Sequence, residues 1–254
     1  MTERLAFRAL LAVAALLFSL TAAHAANQIG KVVATAGSPS ASGPGGDRKL
    51  SEGSSVYEDD KITVGAGGNA QIILNDNTKL VVGPSSSLVL DRYVTGGSGT
   101  AQKVSIKTLR GTFRFITGRS AKSAYDISSS SATIGIRGTG FDWSDKRNTG
   151  LAVMSGIVRL CDAKSGKCVN LSENCEVGQA GGSQAQEFSA AQAGGLIVGN
   201  LPYVLDQRPL NRQFHLPTNK CKQAIAKFLN TGGGNGSIRQ PFEPKQNDDN
   251  GDGG

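Results

Sequence analysis

Histidine is nearly missing from this chain: there are two in 254 residues, His24 and His215. His24 lies in a segment that reads as removable, and His215 stands alone between Phe214 and Leu216. Neither a histidine-based metal cluster nor a Ser-His-Asp arrangement can be assembled from that stock. Aromatics are scarce at 6%, and no helical 3.6-residue periodicity runs through the sequence before residue 190, which argues against a helical bundle. Long apolar runs are lacking too. The longest, Ala9 to Leu20, is too short for the about 20 residues a membrane-spanning helix needs. With Arg4 and Arg8 before it and Ala23-His24-Ala25 after it, the run has the form of a secretory signal cleaved after Ala25. The expectation is a periplasmic or secreted chain with no transmembrane segment after cleavage.

Only four cysteines occur, Cys161, Cys168, Cys175 and Cys221. An even count in an exported chain favours disulfides, and three connectivities are open. Lys164-Ser165-Gly166 reads as the turn of a hairpin that sets Cys161 opposite Cys168, which favours Cys175 with Cys221 as the second bridge. The spacings do not resemble the C-x-x-C pairs of a zinc site.

What the chain has in plenty is glycine, at 34 residues, and short β-branched runs such as Ile62 to Val64, Gln71 to Leu74, Val104 to Leu109, Phe113 to Ile116 and Ile157 to Leu160. Clusters of Gly, Ser, Asn and Asp separate them, as tight turns require. The class is all-β, a sandwich, barrel or solenoid. Ala70, Ile72 and Leu74 alternate with Gln71 ahead of Asn75-Asp76-Asn77, which predicts a hairpin returning through Leu80 and Val82. Gly178 to Gln192 is expected to leave the β core. Thr218 to Leu229 reads as one short helix with Cys221, Ile225, Phe228 and Leu229 on one face, and residues 232–254 as a low-complexity, disordered tail. The division is a signal peptide at 1–25, a β domain at 26–190, a C-terminal extension with one short helix at 191–231 and the tail at 232–254.

The formal charge is +7, and between Ala101 and Tyr125 six cations occur with no acid: Lys103, Lys107, Arg110, Arg114, Arg119 and Lys122. Alternation places Val104 and Ile106 inward with Lys103 and Lys107 outward. Beyond a break near Gly111, it places Phe113 and Phe115 inward with Arg114 outward. If the two pieces pair, their cations share a face. In an exported protein such a face suits lipid phosphates, acidic polysaccharide or an acidic protein surface rather than nucleic acid.

Other motifs lack their context. Gly65 to Ala70 matches G-x-G-x-x-A, yet a strand follows where a helix is needed. Asp59, Asp60, Asp126 and Asp142 offer carboxylates with no motif that selects a pair. Asp248 to Gly253 fits the first half of a calcium loop but has no Glu at its twelfth position. No catalytic residue, cofactor or metal site is expected.

Leu109-Arg110-Gly111-Thr112-Phe113-Arg114-Phe115 and Ile134-Gly135-Ile136-Arg137-Gly138-Thr139-Gly140-Phe141, with Asp60 to Gly65 and Ala70 to Leu80, resemble the FecR family of periplasmic domains. The resemblance favours a twisted, solenoid-like β-sandwich of many short strands. It implies a non-catalytic module that senses or relays through protein contacts, with a membrane sensor or an outer-membrane protein as partner. Family members that regulate sigma factors carry a cytoplasmic helical domain and a transmembrane helix ahead of this part, and the sequence here shows neither. A soluble relay partner or an envelope scaffold is the expectation, with an acidic envelope polysaccharide or surface structure as the alternative ligand. The partner-binding candidates are Lys103, Lys107, Arg110, Arg114 and Arg137, with Gly111, Thr112, Gly138 and Thr139 as motif positions. A structural role for Arg137, paired with a carboxylate such as Asp142, stands beside the binding one.

Overall fold

The computed structural model describes residues 26–172 and 175–230; the segment read as a signal, the tail with its half calcium loop, Glu173 and Asn174 lie outside the described residues. In chain order the strands are β1 (Gln28–Ala36), β2 (Ser40–Ser42), β3 (Arg48–Lys49), β4 (Ser55–Tyr57), β5 (Lys61–Thr63), β6 (Asn69–Leu74), β7 (Lys79–Val82), β8 (Ser87–Thr95) and β9 (Ala101–Ile116). They continue as β10 (Tyr125–Ser128), β11 (Ala132–Ile136), β12 (Gly140–Asp145), β13 (Thr149–Ser155), β14 (Ile157–Asp162), β15 (Cys168–Ser172), β16 (Val177–Gly181) and β17 (Gln184–Glu187). Pairing sorts them into two open sheets. Sheet I runs β4-β1-β6-β7-β9-β12-β13-β16-β17. Sheet II runs β3-β2-β5-β8-β9-β10-β11-β14-β15, with β9 and β10 its parallel pair. The chain passes back and forth between them, winding around a shared core as a flattened coil.

The long strand β9 belongs to both sheets. Its first half pairs with β8 and β10 and its second half with β7 and β12. Val104 and Ile106 point into the core from sheet II, and Phe113 and Phe115 do so from sheet I. The change from even to odd inward positions needs an irregular residue between them. Gly111 provides it at φ +113°, where a Cβ would sit 2.1 Å from the Ser86 hydroxyl oxygen. Phe113 stacks on Trp143 at 4.9 Å, and Phe141 lies 5.3 Å from Trp143 and 5.6 Å from Phe115, so the centre of the core is aromatic. The predicted hairpin pairs Ala70 with Val82 and Ile72 with Leu80, and Asn77 takes the positive φ at its turn.

Sheet I has a third layer on its other face. Gly178 to Gln192 does not leave the β core as expected: Gly178 to Gly181 pair with β17 and extend sheet I, because the glycines at 181 and 182 supply the positive φ of a tight hairpin. Three α-helices follow among the described residues, α1 (Ala190–Asn200), α2 (Pro202–Leu205) and α3 (Asn219–Asn230). The last is the helix read from the sequence. The first was not expected from the sequence; its Gly194 and Gly195 admit Phe228 of α3, which a Cβ at Gly194 would meet at 2.1 Å. Ser189 and Gln192 close a capping box at its start. Ala193, Leu196, Ile197 and Val204 pack with Ala152 and Met154 of β13, and Tyr203, Leu210 and Phe214 pack with Val81 of β7. The sulfurs of Cys161 and Cys168, and of Cys175 and Cys221, stand at bonding distance. The second pair ties α3 to the segment ahead of β16, as the hairpin argument expects. No helix among the described residues is long and apolar enough to cross a membrane.

Candidate partner-binding face

The two outer faces of the sandwich have opposite characters. Sheet I is covered by α1 to α3, whereas the outer face of sheet II carries no further layer among the described residues. Strand pairing sets its side chains in rows: Lys61, Val89 and Lys107 align across β5, β8 and β9, and Thr63, Ser87 and Arg110 form the next row. Lys61, Lys107 and Arg110 are exposed, and none forms an ion pair among the described residues. A depression of about 300 Å³ is lined by Lys61, Thr63, Ser87, Leu109 and Arg110. Leu109 is 43% exposed beside it, an apolar contact within a cationic rim. Lys61 was not singled out from the sequence, because it lies 46 positions before Lys107 and only the β5-β8-β9 order brings it there.

The other candidates separate. Lys103 is on the same face, but its ammonium lies 2.9 Å from the Asp126 carboxylate, which offsets its charge. Arg137 is exposed at the end of β11, away from the Lys61 row. It does not pair with Asp142.

Arg114 is the clear correction: it is 0% exposed. Its alternation is as expected, since it points away from the inter-sheet core. Because β9 has changed sheets, however, that direction leads under the helical layer and not to the face of Lys103 and Lys107. The guanidinium donates from Nε and Nη2 to the Asp142 carboxylate at 2.6 and 2.8 Å, from Nη2 to the Tyr203 carbonyl at 2.9 Å, and from Nη1 to the Phe214 carbonyl at 3.0 Å and the Gln207 side-chain oxygen. All five N–H groups are used. Burial pushes the Asp142 carboxyl above the ordinary carboxylate range, against the pull of Arg114.

The motif positions build corners. The Thr112 amide donates to the Ser86 hydroxyl at 2.8 Å across Gly111, and the Thr112 hydroxyl donates to the Asn200 carbonyl at the end of α1. Gly138 takes φ +75°, and Thr139 is buried with its carbonyl accepting the Thr117 amide at 3.0 Å. These residues shape the chain where it changes sheets.

Two further acids, Asp60 and Asp76, are buried and engaged structurally. Asp60 is buried against Arg48, which stacks over Tyr57 at 4.8 Å. Asp76 is buried and accepts from the hydroxyls of Thr78, Ser120 and Tyr125 at 2.6 to 2.8 Å. Burial, helped by that carboxylate, pushes the Tyr93 phenol up to about 12. His215 contacts the Leu210 carbonyl through Nε2 at 2.9 Å. Among the described residues no group of three or more His, Cys, Asp and Glu side chains could hold a metal ion.

No curated protein matches the chain. Two crystal structures of a Parabacteroides distasonis protein, provisionally described as an anti-sigma factor, align at 16% identity, with TM-scores of 0.40 and 0.39. The alignment covers 50% of this chain and 57% of theirs. The family model described as FecR protein matches residues 60–159, from the buried Asp60 to the outward Arg159. That span, which contains β9, both glycine corners and the Lys61, Lys107 and Arg110 cluster, is similar to the FecR family.

Proposed function

We propose that this protein is an exported, non-catalytic relay or binding module of the bacterial envelope, and that it docks a protein partner on the outer face of sheet II. The observation that carries the reading is the contrast between the two outer faces. Sheet I buries its apolar residues and its Arg114 under a helical layer tied down by a disulfide, whereas sheet II leaves Lys61 and Arg110 unpaired at a depression with an exposed leucine, and Lys107 unpaired in the row of Lys61. An exposed apolar group ringed by uncompensated charge fits a docking surface for an acidic partner. Two disulfides suit an oxidising compartment, which supports export. Signal relay is the role that the similarity of residues 60–159 to the FecR family favours.

The test is site-specific photo-cross-linking in cells. A photoreactive residue at Leu109 should give a discrete protein adduct in the envelope, a probe at the exposed Ala226 of α3 should not, and the adduct should vanish when Lys61, Lys107 and Arg110 are changed to Ser. Equal adducts at both positions, or an adduct indifferent to the triple change, would sink the assignment. Retention on acidic envelope polymer with no protein adduct would turn the same face over to the polysaccharide alternative.

A further inference from the structure

Where β9 leaves sheet II for sheet I, a cleft of about 450 Å³ opens at the end of the sandwich. Its walls include Pro84 from the turn after β7, and Val198, Gly199 and Pro202 from the end of α1 and the start of α2. A Cβ built at Gly199 meets nothing within 4 Å, so that wall faces open space. Two cations join the lining, Arg110 and Lys146; both are exposed, and neither forms an ion pair among the described residues.

The charges in this cleft have an order. Asp145 also lines it, but its residue is 1% exposed and its carboxylate is turned to the interior, where the hydroxyls of Thr108 and Thr149 donate to it at 3.0 and 3.4 Å. The C-terminal end of α1 presents the negative end of a helix, which disfavours an anion there. An anionic group therefore belongs at the Arg110 and Lys146 side, with the apolar surfaces of Pro84, Val198 and Pro202 left for an uncharged body. Ligand sites are commonly built this way, mostly apolar with a few convergent polar groups. At roughly 30 Å³ for each water-sized group, the volume admits about fifteen heavy atoms.

From this we infer that the cleft is a binding site for a small single-chain amphiphile with an anionic head, the size of a medium-chain fatty acid. Its carboxylate meets Arg110 and Lys146, and its chain lies against Pro84, Val198 and Pro202. The site shares Arg110 with the docking face of sheet II, but its decisive variants, Lys146→Ser and Gly199→Leu, lie outside that face.

Decanoate titrated calorimetrically into the full mature chain at low salt tests it. One equivalent should bind with Kd below about 1 mM. Decanol and decyltrimethylammonium should bind at least about tenfold more weakly, and Lys146→Ser or added salt should weaken decanoate to a similar degree. Gly199→Leu, which fills the cleft and suits a helix, should abolish binding with little change in melting temperature. Should that variant unfold, Lys146→Ser, a surface change, still decides the matter. The site is refuted by the lack of saturable decanoate binding, by decanol binding as tightly as decanoate, or by undiminished affinity in Lys146→Ser.

Discussion

Cutting Asp142 to Ala should be among the most damaging single changes available to this protein, although the residue lies far from the exposed cluster. The substitution removes the two charge-assisted bonds that Arg114 makes at 2.6 and 2.8 Å and leaves a guanidinium with 0% exposure facing a void. Three acceptors remain, the carbonyls of Tyr203 and Phe214 and the Gln207 side chain, but none carries a countercharge. Breaking a buried pair from one side costs about 3 to 5 kcal/mol, most of it the stranded charge. For a chain of this size that corresponds to a fall in melting temperature of about 6 to 20 °C. Replacing both partners, Arg114→Met with Asp142→Leu, should recover part of the loss because no buried charge is left. Recovery should be incomplete, since the Tyr203 and Phe214 carbonyls lose a donor. Urea denaturation of the two variants measures the difference, and limited proteolysis between Asp206 and Leu216 reports whether the clasped segment has loosened. A cost below about 1 kcal/mol for Asp142→Ala, or a double variant no better than the single one, would refute the view that this pair anchors the helical layer.

Other outcomes follow from the same geometry. Phe113→Ala should cost about 3 to 5 kcal/mol in denaturant unfolding, because it leaves a cavity beside Trp143 in the fully buried core. The Lys61, Lys107 and Arg110 triple change to Ser should stay within about 0.5 kcal/mol per site of the parent while losing the envelope cross-link. Changing Cys175 and Cys221 to Ser should destabilise by about 4 kcal/mol, against about 2 for Cys161 and Cys168, since the closed loops span 46 and 7 residues; the reverse order would contradict the chain-entropy account. Tyr93 has its folded pKa raised above the unfolded value of 10.0, so its contribution to stability is present below pH 10 and is lost as pH rises through about 12. A phenolate titration of the native protein in which every tyrosine ionises near 10 would contradict the burial assigned to it.

The all-β class was legible in the sequence because turn chemistry and period-2 alternation are local. Asn75-Asp76-Asn77 closes its hairpin and Asp162 to Lys167 closes the other, with the Asp162 carboxylate accepting the amides of Lys164 and Ser165 at 3.1 and 2.7 Å. What depends on strand order was not legible. Lys61 reaches the side of Lys107 only through β8, and no spacing rule joins positions so far apart. The helix α1 was hidden for a related reason. Gly194 and Gly195 lower helix propensity locally, and only the packing of Phe228 against them restores the balance.

Arg114 shows most clearly how correct local reasoning can place a residue on the wrong surface. Alternation fixes which side of its own strand a residue occupies; it does not say which sheet that strand belongs to. Gly111 makes the difference, because an irregular residue at φ +113° both reverses the inward parity and passes β9 from one sheet to the other. Cations before it and after it therefore face opposite sides of the molecule. The cations before it border open surface; Arg114 grips the layer that covers sheet I. Arg110 stands at the crossing, exposed, with the depression of sheet II on one side and the apolar cleft on the other. Its neighbours are held in place, Gly111 by close approach of Ser86 and Thr112 by an amide hydrogen bond to the Ser86 hydroxyl and a hydroxyl hydrogen bond to the Asn200 carbonyl, so they can change little without loss of the fold. Arg110 bears no such constraint among the described residues. Within this motif the glycine and threonine explain how the chain turns, and the arginine is the member free to meet a ligand.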